Sequence, residues 1–401
     1  FKNKVLLDSK LFIRMKILYE NRDRDKLNPE QKRLIEEKYT DFIHNGALLS
    51  ETNKEKVRQI DEELSKLAPK FSQNTLNATN DFTYYTKDEE DLSGLPDMAR
   101  VQAAETAKKK KKDSGWMFTL QMPSYIPVMQ FADNRKLRET LYKARTKVSF
   151  GGKFDNQEIV KNTSALRYEK AQLLGFDDHA DYTLQKRMAG NTDNVMNFLG
   201  RLYEVYHPAA NREMDALREL ATNNGIEEMQ SWDIAYYAEK LKKQKFDFDH
   251  EKLRPYFKTE NVINGIFKIA ELMYGMQFKE INDVPVYHKE VRVFEVSDTD
   301  DSFLALFYVD LHPRETKEGG AWMTCWRSQG LFDGKVVRPL VSIVANLTPA
   351  TKDKPSLLTY NEVLTIFHEF GHALHGMLSN VTYRSLASPD VYWDFVELPS
   401  Q

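Results

Sequence analysis

One cysteine, Cys325, is all the chain has, so an internal disulfide framework is excluded. A lone thiol fits a reducing compartment, and a cytoplasmic location is the expectation. Glycine (17) and proline (14) are scarce for 401 residues, which favours long helices over a turn-rich β fold. Neither sign of charge dominates: 57 Lys and Arg against 60 Asp and Glu leave a formal −3. That balance offers no broad field to nucleic acid or an anionic membrane, and neither is an expected partner. No apolar run approaches the roughly 18–20 residues that span a bilayer. The greasiest stretches, Phe303–Leu311 and Leu340–Leu347, are strand-sized. The chain begins at Phe1 without a secretory-type core and stops at Gln401 without a tail, so a piece of a longer protein is expected.

What is present reads mostly as helix. Asn28-Pro29 is a helix start, since Asn caps and Pro suits the first helical position. Leu34, Ile35, Tyr39, Phe42 and Ile43 then follow helical spacing, with Gly46 as the stop. Ser50 opens a second helix carrying Val57, Ile60, Leu64, Leu67 and Phe71, and the two are expected to form a helical hairpin. Lys108–Lys112 reads as a solvated helix end with a glycine exit at Gly115, followed by a short strand at Trp116–Leu120. Further helices are expected over 133–148, 155–174 with Gly175 as the cap, 192–224 with a break near Pro208, 231–245 and 260–274. Residues 276–347 change character, with β-branched and aromatic runs at 291–296, 303–311 and 336–347. A small sheet set between helices is expected there.

The segment richest in chemistry starts at Thr359. Thr359 with Glu362 three later is a capping box, so a helix begins there. Within it lies His368-Glu369-Phe370-Gly371-His372. Two histidines four apart on a helix share a face and can bind one zinc ion. Glu369 is placed to take a proton from a metal-activated water without being a ligand. A catalytic zinc needs a third protein ligand and an open position. His375 does not qualify, because seven helical residues from His368 amount to about 10.5 Å of rise. It reads as a packing or substrate-facing residue around the site. Glu397, 25 residues after His372, is the better third ligand. Asp394, one turn earlier, reads equally as an acceptor for a ligand's ring N–H or as a helix N-cap.

Phe367–His375 followed by Asp394-Phe-Val-Glu-Leu-Pro-Ser-Gln401 resembles the thimet oligopeptidase family of zinc peptidases. Phe307–Glu315, Gly319–Met323 and the Asn134–Tyr142 stretch resemble it too, so most of the chain from about Leu27 is covered. The resemblance implies a mainly α, two-lobed, neurolysin-like (gluzincin) fold with a small sheet beside the zinc helix. On that reading 1–150 is an incomplete helical lobe. Residues 151–401 are a catalytic lobe with its sheet at about 276–347 and its zinc helix at about 360–378. His368, His372 and Glu397 are implied as ligands of one Zn²⁺ per chain, and Glu369 as the general base. Short peptides are the implied substrates. Gly319, Gly320 and Ala321 would pair with the substrate backbone by strand addition, a plain turn between strands being the other reading. The dipeptidyl carboxypeptidase and oligopeptidase A branch is the nearest in pattern. The family's oxyanion-stabilising histidine and tyrosines lie beyond the Pro-Ser-Gln motif. This chain alone is therefore expected to be a poor catalyst, with the remainder of the same protein as a partner, and a silent helical peptide- or protein-binding module is the alternative.

Overall fold

The computed structural model describes residues 2–247 and 250–401. Helices come first: α1 (Lys2–Leu6), α2 (Ser9–Asn21), α3 (Pro29–His44) and α4 (Glu51–Asp81). Strand β1 (Thr83–Thr86), α5 (Asp97–Lys109) and strand β2 (Trp116–Thr119) follow. Then run α6 (Met122–Phe131), α7 (Arg135–Thr146), α8 (Gln157–Leu173), α9 (His179–Leu184), α10 (Thr192–Asn223), α11 (Ile234–Phe246) and α12 (Thr259–Tyr274). The later strands are β3 (Gln277–Ile281), β4 (Arg292–Ser297), β5 (Phe303–Asp310), β6 (Trp322–Arg327), β7 (Gly330–Phe332), β8 (Lys335–Val337) and β9 (Leu340–Val344). Helices α13 (Tyr360–Met377) and α14 (Trp393–Val396) complete the order. No helix among the described residues is long and apolar enough to cross a membrane.

The local punctuation behaves as its chemistry dictates. Asn28 accepts from Gln31 N at 2.8 Å while the Gln31 side chain accepts from Asn28 N at 2.9 Å, a reciprocal cap on α3. Gly46 and Gly175 take φ of +96° and +86° just past α3 and α8, where a Cβ is costly. Three expectations fail. Helices α3 and α4 are not each other's main partners: α3 packs on α2 and α4 on α8. Helix α10 runs unbroken through Pro208, its turns on either side outweighing the one bond proline removes. The left-handed residue that ends α5 is Lys111 (φ 61°), ahead of Gly115, which is itself left-handed at φ +86°. Gly115 is needed further on, because a Cβ there would stand 2.5 Å from the Thr86 carbonyl across the β1–β2 pair. The lysine run is otherwise a helix end, with Lys110 paired to Glu315 and Lys112 over the Tyr85 ring. Arg138 is buried and pairs at 2.8 Å with Asp233, itself fully buried, which ties α7 to the entry of α11.

The larger sheet has the order β3-β4-β5-β9-β6, with β5 and β9 parallel and the other pairs antiparallel. Alternate residues Phe294, Val296, Ala305, Phe307, Val309, Val341 and Ile343 share one buried cluster with α12 and α13. Helix α13 supplies Val363, Ile366, Phe370, Ala373 and Met377 to it, a three-and-four spacing that turns one face to the core. Gly376 lets the helix approach closely, since a Cβ there would meet Met323 and Val341 at 3.3 Å. The helix start is doubly fastened. Thr359 and Glu362 form the expected capping box, and the Glu362 carboxylate also accepts from Thr348 N at 2.6 Å and Thr348 Oγ1 at 2.8 Å. Thr359→Ala should therefore cost about 1 kcal/mol of stability, read as a lowered midpoint in denaturant unfolding. An unchanged midpoint would show the cap to be redundant with the Glu362–Thr348 bonds.

Candidate metal centre

The core-facing stripe of α13 leaves His368 and His372 on the opposite side. Their rings lie 4.9 Å apart between centroids and nearly perpendicular. Chain beyond α13 returns through α14 and a 3₁₀ turn at Leu398–Ser400, and that turn packs on the helix at Gly371. The fit is tight: a Cβ on Gly371 would stand 2.6 Å from the Pro399 carbonyl oxygen and 2.7 Å from Ser400 Cα. Seated there, Glu397 directs Oε2 to within 3.1 Å of His368 Nε2 and 3.2 Å of His372 Nε2. The three side chains each offer a donor within 4.8 Å of the others. Donors held at about 2.0–2.2 Å around a tetrahedral ion stand roughly 3.3–3.5 Å apart. The carboxylate oxygen stands at nearly that separation from each imidazole nitrogen, so the group fits a metal ion in geometry and donor chemistry.

Glu369 lies on the buried side of α13 and is 6% exposed. Burial pushes its carboxyl up; the His368 charge pulls it down, and that of Glu397 pushes it up again. It thus sits within the electrostatic reach of both donors on either side, and its raised basicity suits proton transfer nearer neutrality. Ser400 Oγ donates to the Glu397 carbonyl at 2.8 Å and to Oε2 at 3.3 Å, steadying that carboxylate.

Of two outer residues, Asp394 departs from both of its expected roles and His375 keeps to one of them. Asp394 neither accepts from a ligand imidazole nor caps a helix. Its two oxygens take the backbone N–H groups of Met188 and Ala189 at 2.9 Å each, which fastens the returning segment to the loop before α10. These bonds hold its carboxyl down against burial. His375 bonds to none of the ligands; its Nδ1 is buried without a hydrogen-bond partner. Burial first, and then His372, push its imidazole down, as suits a packed side chain.

The glycine pair lies in the bend before a strand rather than within one. Strand β6 starts only at Trp322, and Gly319–Ala321 form the bend that leads into it, with Gly320 at φ +97°. Asn346 fixes the bend by donating to the Glu318 and Gly320 carbonyls at 2.8 and 2.7 Å. Strand β6 pairs with β9 along one edge, and no described strand pairs with the other. Sequence reasoning missed the anchor of the preceding loop. Buried Asp310 receives Arg314 through two bonds of 2.9 Å, and buried Lys317 through one of 2.9 Å. Charged residues at i+4 and i+7 after a strand were the available signal. The role of Gly371 was also missed, although a glycine inside a helix between two ligands asks for a close neighbour.

Two imidazoles one turn apart, a glutamate beside the first and a carboxylate from a later turn make a group that could hold a metal ion. The chain belongs to peptidase family M3, whose profile matches residues 128–401. It is 40% identical over 383 residues to oligopeptidase A of Salmonella typhimurium, covering 94% of this chain and 56% of that protein. It is 32% identical to the dipeptidyl carboxypeptidase of Escherichia coli, covering 100% of this chain and 59% of that one. Saccharolysin of Saccharomyces cerevisiae is 34% identical, over 94% of this chain and 54% of its own length. The chain thus spans little more than half the length of the curated relatives it matches. An X-ray structure assigned as an oligoendopeptidase F shares the fold at TM-score 0.50 and 14% identity, over 100% of this chain and 55% of that one.

Proposed function

We propose that this chain carries the zinc-binding part of a metallopeptidase that hydrolyses short peptides, as an oligopeptidase or a dipeptidyl carboxypeptidase. The observation that carries the reading is the convergence of His368 Nε2, His372 Nε2 and Glu397 Oε2. Membership of a peptidase family supports the reaction class, and the names of its relatives support the two substrate modes. A zinc ion held by these three residues would polarise a peptide carbonyl and acidify a water, the chemistry such centres supply. The chain's own residues do the rest. The Glu369 carboxylate takes the proton of the attacking water and passes it to the leaving amine nitrogen. The free edge of β6 offers backbone N–H and C=O groups to an extended peptide, holding the cleaved bond against the site. The Gly319–Ala321 bend keeps side-chain bulk away from that approach.

The test is metal content against activity in the intact protein. One zinc per chain is expected, with peptidase activity lost to a chelator and restored by zinc. Glu397→Ala should lose the bound zinc on dialysis. Peptide cleavage by a protein that holds no stoichiometric metal would remove this reading.

A further inference from the structure

We infer that the cavity beside the start of β6 is a subsite for a bulky apolar side chain on the C-terminal side of the cleaved bond; this rests on the peptidase reading above. The cavity holds about 340 Å³ between α6, α11, the first turns of α13 and the residues leading into β6. That is the low end of ligand-pocket sizes, suited to one large side chain rather than a whole cofactor. Met122 and Ile126 line it, four apart on one face of α6, and both are exposed, at 39% and 41%. Two neighbouring apolar side chains facing a cavity point to an apolar occupant. Ala321 and Leu347 extend the same lining, and Thr365 joins it from α13. Charged residues of both signs also line it, Glu239, Lys242, Glu251, Arg254 and Glu362, with Arg254 paired to Glu251 at 2.7 Å and Glu362 bonded to Thr348.

Its position relative to the metal centre follows from the helix. Thr365 precedes His368 by three residues, so the cavity begins about one turn, ~5 Å of rise, from His368 and about two turns from His372. Strand β6 sets the direction. Ala321, just before it, lies at the cavity, while Met323 lies against Gly376, beyond both histidines. Strand β6 therefore runs past the site from the cavity end. A peptide pairing antiparallel to β6 runs the other way, and its C-terminal half leaves over the cavity. Two extended residues span about 7 Å and point to opposite faces, so one of the first two beyond the cleaved bond reaches it.

The experiment uses the intact protein and quenched peptides that differ by Ala or Phe at a single position on either side of the cleaved bond. Wild type should favour Phe by about tenfold in kcat/KM at one of the first two C-terminal-side positions. Ile126→Trp, which fills the cavity, should abolish that preference and leave the all-Ala peptide within about twofold. Ile126→Ser leaves the cavity open and should weaken the preference severalfold, which keeps the test available if the tryptophan variant does not fold. The inference is overturned if both variants keep the preference, if Phe and Ala peptides lose equally, or if the change tracks a position on the N-terminal side. The two readings fail separately. Peptide cleavage that persists without stoichiometric metal removes the metallopeptidase reading, whereas metal-dependent cleavage with the Phe preference intact in both Ile126 variants removes the subsite alone.

Discussion

Replacing Glu369 with glutamine is expected to lower kcat for peptide hydrolysis by about 10²–10⁴-fold while the zinc content stays at wild-type level. The substitution keeps the side chain's size and removes only its ability to accept and return a proton. Glu369 is buried beside the donors without being one of them, since the converging atoms belong to His368, His372 and Glu397. Loss of activity with metal retained separates proton transfer from binding, which a ligand substitution cannot do. Stability should not fall. A carboxyl whose burial raises its pKa is a net cost to the folded state above the unfolded pKa, and a neutral amide relieves it. Metal analysis, steady-state kinetics and thermal unfolding of one preparation check all three points. Full activity in this variant would show that another group moves the proton.

Gly371→Ala should cost about 10²-fold in kcat/KM and weaken zinc retention against a competing chelator. Helix propensity alone argues the opposite way: alanine in a helix interior is favoured over glycine by about 1 kcal/mol. The close approach of the returning turn decides the sign. A methyl at this point would press on the Pro399 carbonyl and on Ser400 Cα, both backbone atoms with no rotamer to escape into. The turn has to lift, and Glu397 lies two residues before Pro399. Misplacing a positioned group by about 1 Å is worth roughly a hundredfold in rate. If the variant instead unfolds at a higher temperature and holds zinc as tightly, the turn is not seated on Gly371 in solution.

The elements that were legible in the chain are those written in short-range chemistry. Asn28-Pro29, the Thr359–Glu362 box, Gly46 and Gly175 mark helix ends through bonds and dihedrals made within a few residues, and the structure carries each one. The pairing of α3 was not legible. The spacing of Leu34, Tyr39 and Phe42 says which face is apolar but not which neighbour covers it, and α2 does so through Phe12, stacked on Tyr39 and tilted against Phe42. The uninterrupted course of α10 was hidden for a related reason: proline's local penalty is visible in sequence, while the long cooperative helix that absorbs it is not. The Asp310 anchor combines a strand end with a loop lysine, a contact made only once the loop has closed.

By itself the sequence determined that one helix would present two imidazoles and a glutamate, because a four-residue spacing on an α-helix is a matter of local geometry. It pointed to Glu397 as the third ligand but left Asp394 open between an imidazole acceptor and a helix N-cap. Tertiary structure gave the two carboxylates their places. The loop at Met188 and Ala189 takes up one carboxylate through its N–H groups, and the turn resting on Gly371 aims the other at the histidines. The cleft beyond them was likewise decided by packing, because it joins α6, α11, α13 and the approach to β6, segments far apart in the chain that meet only when the chain has folded.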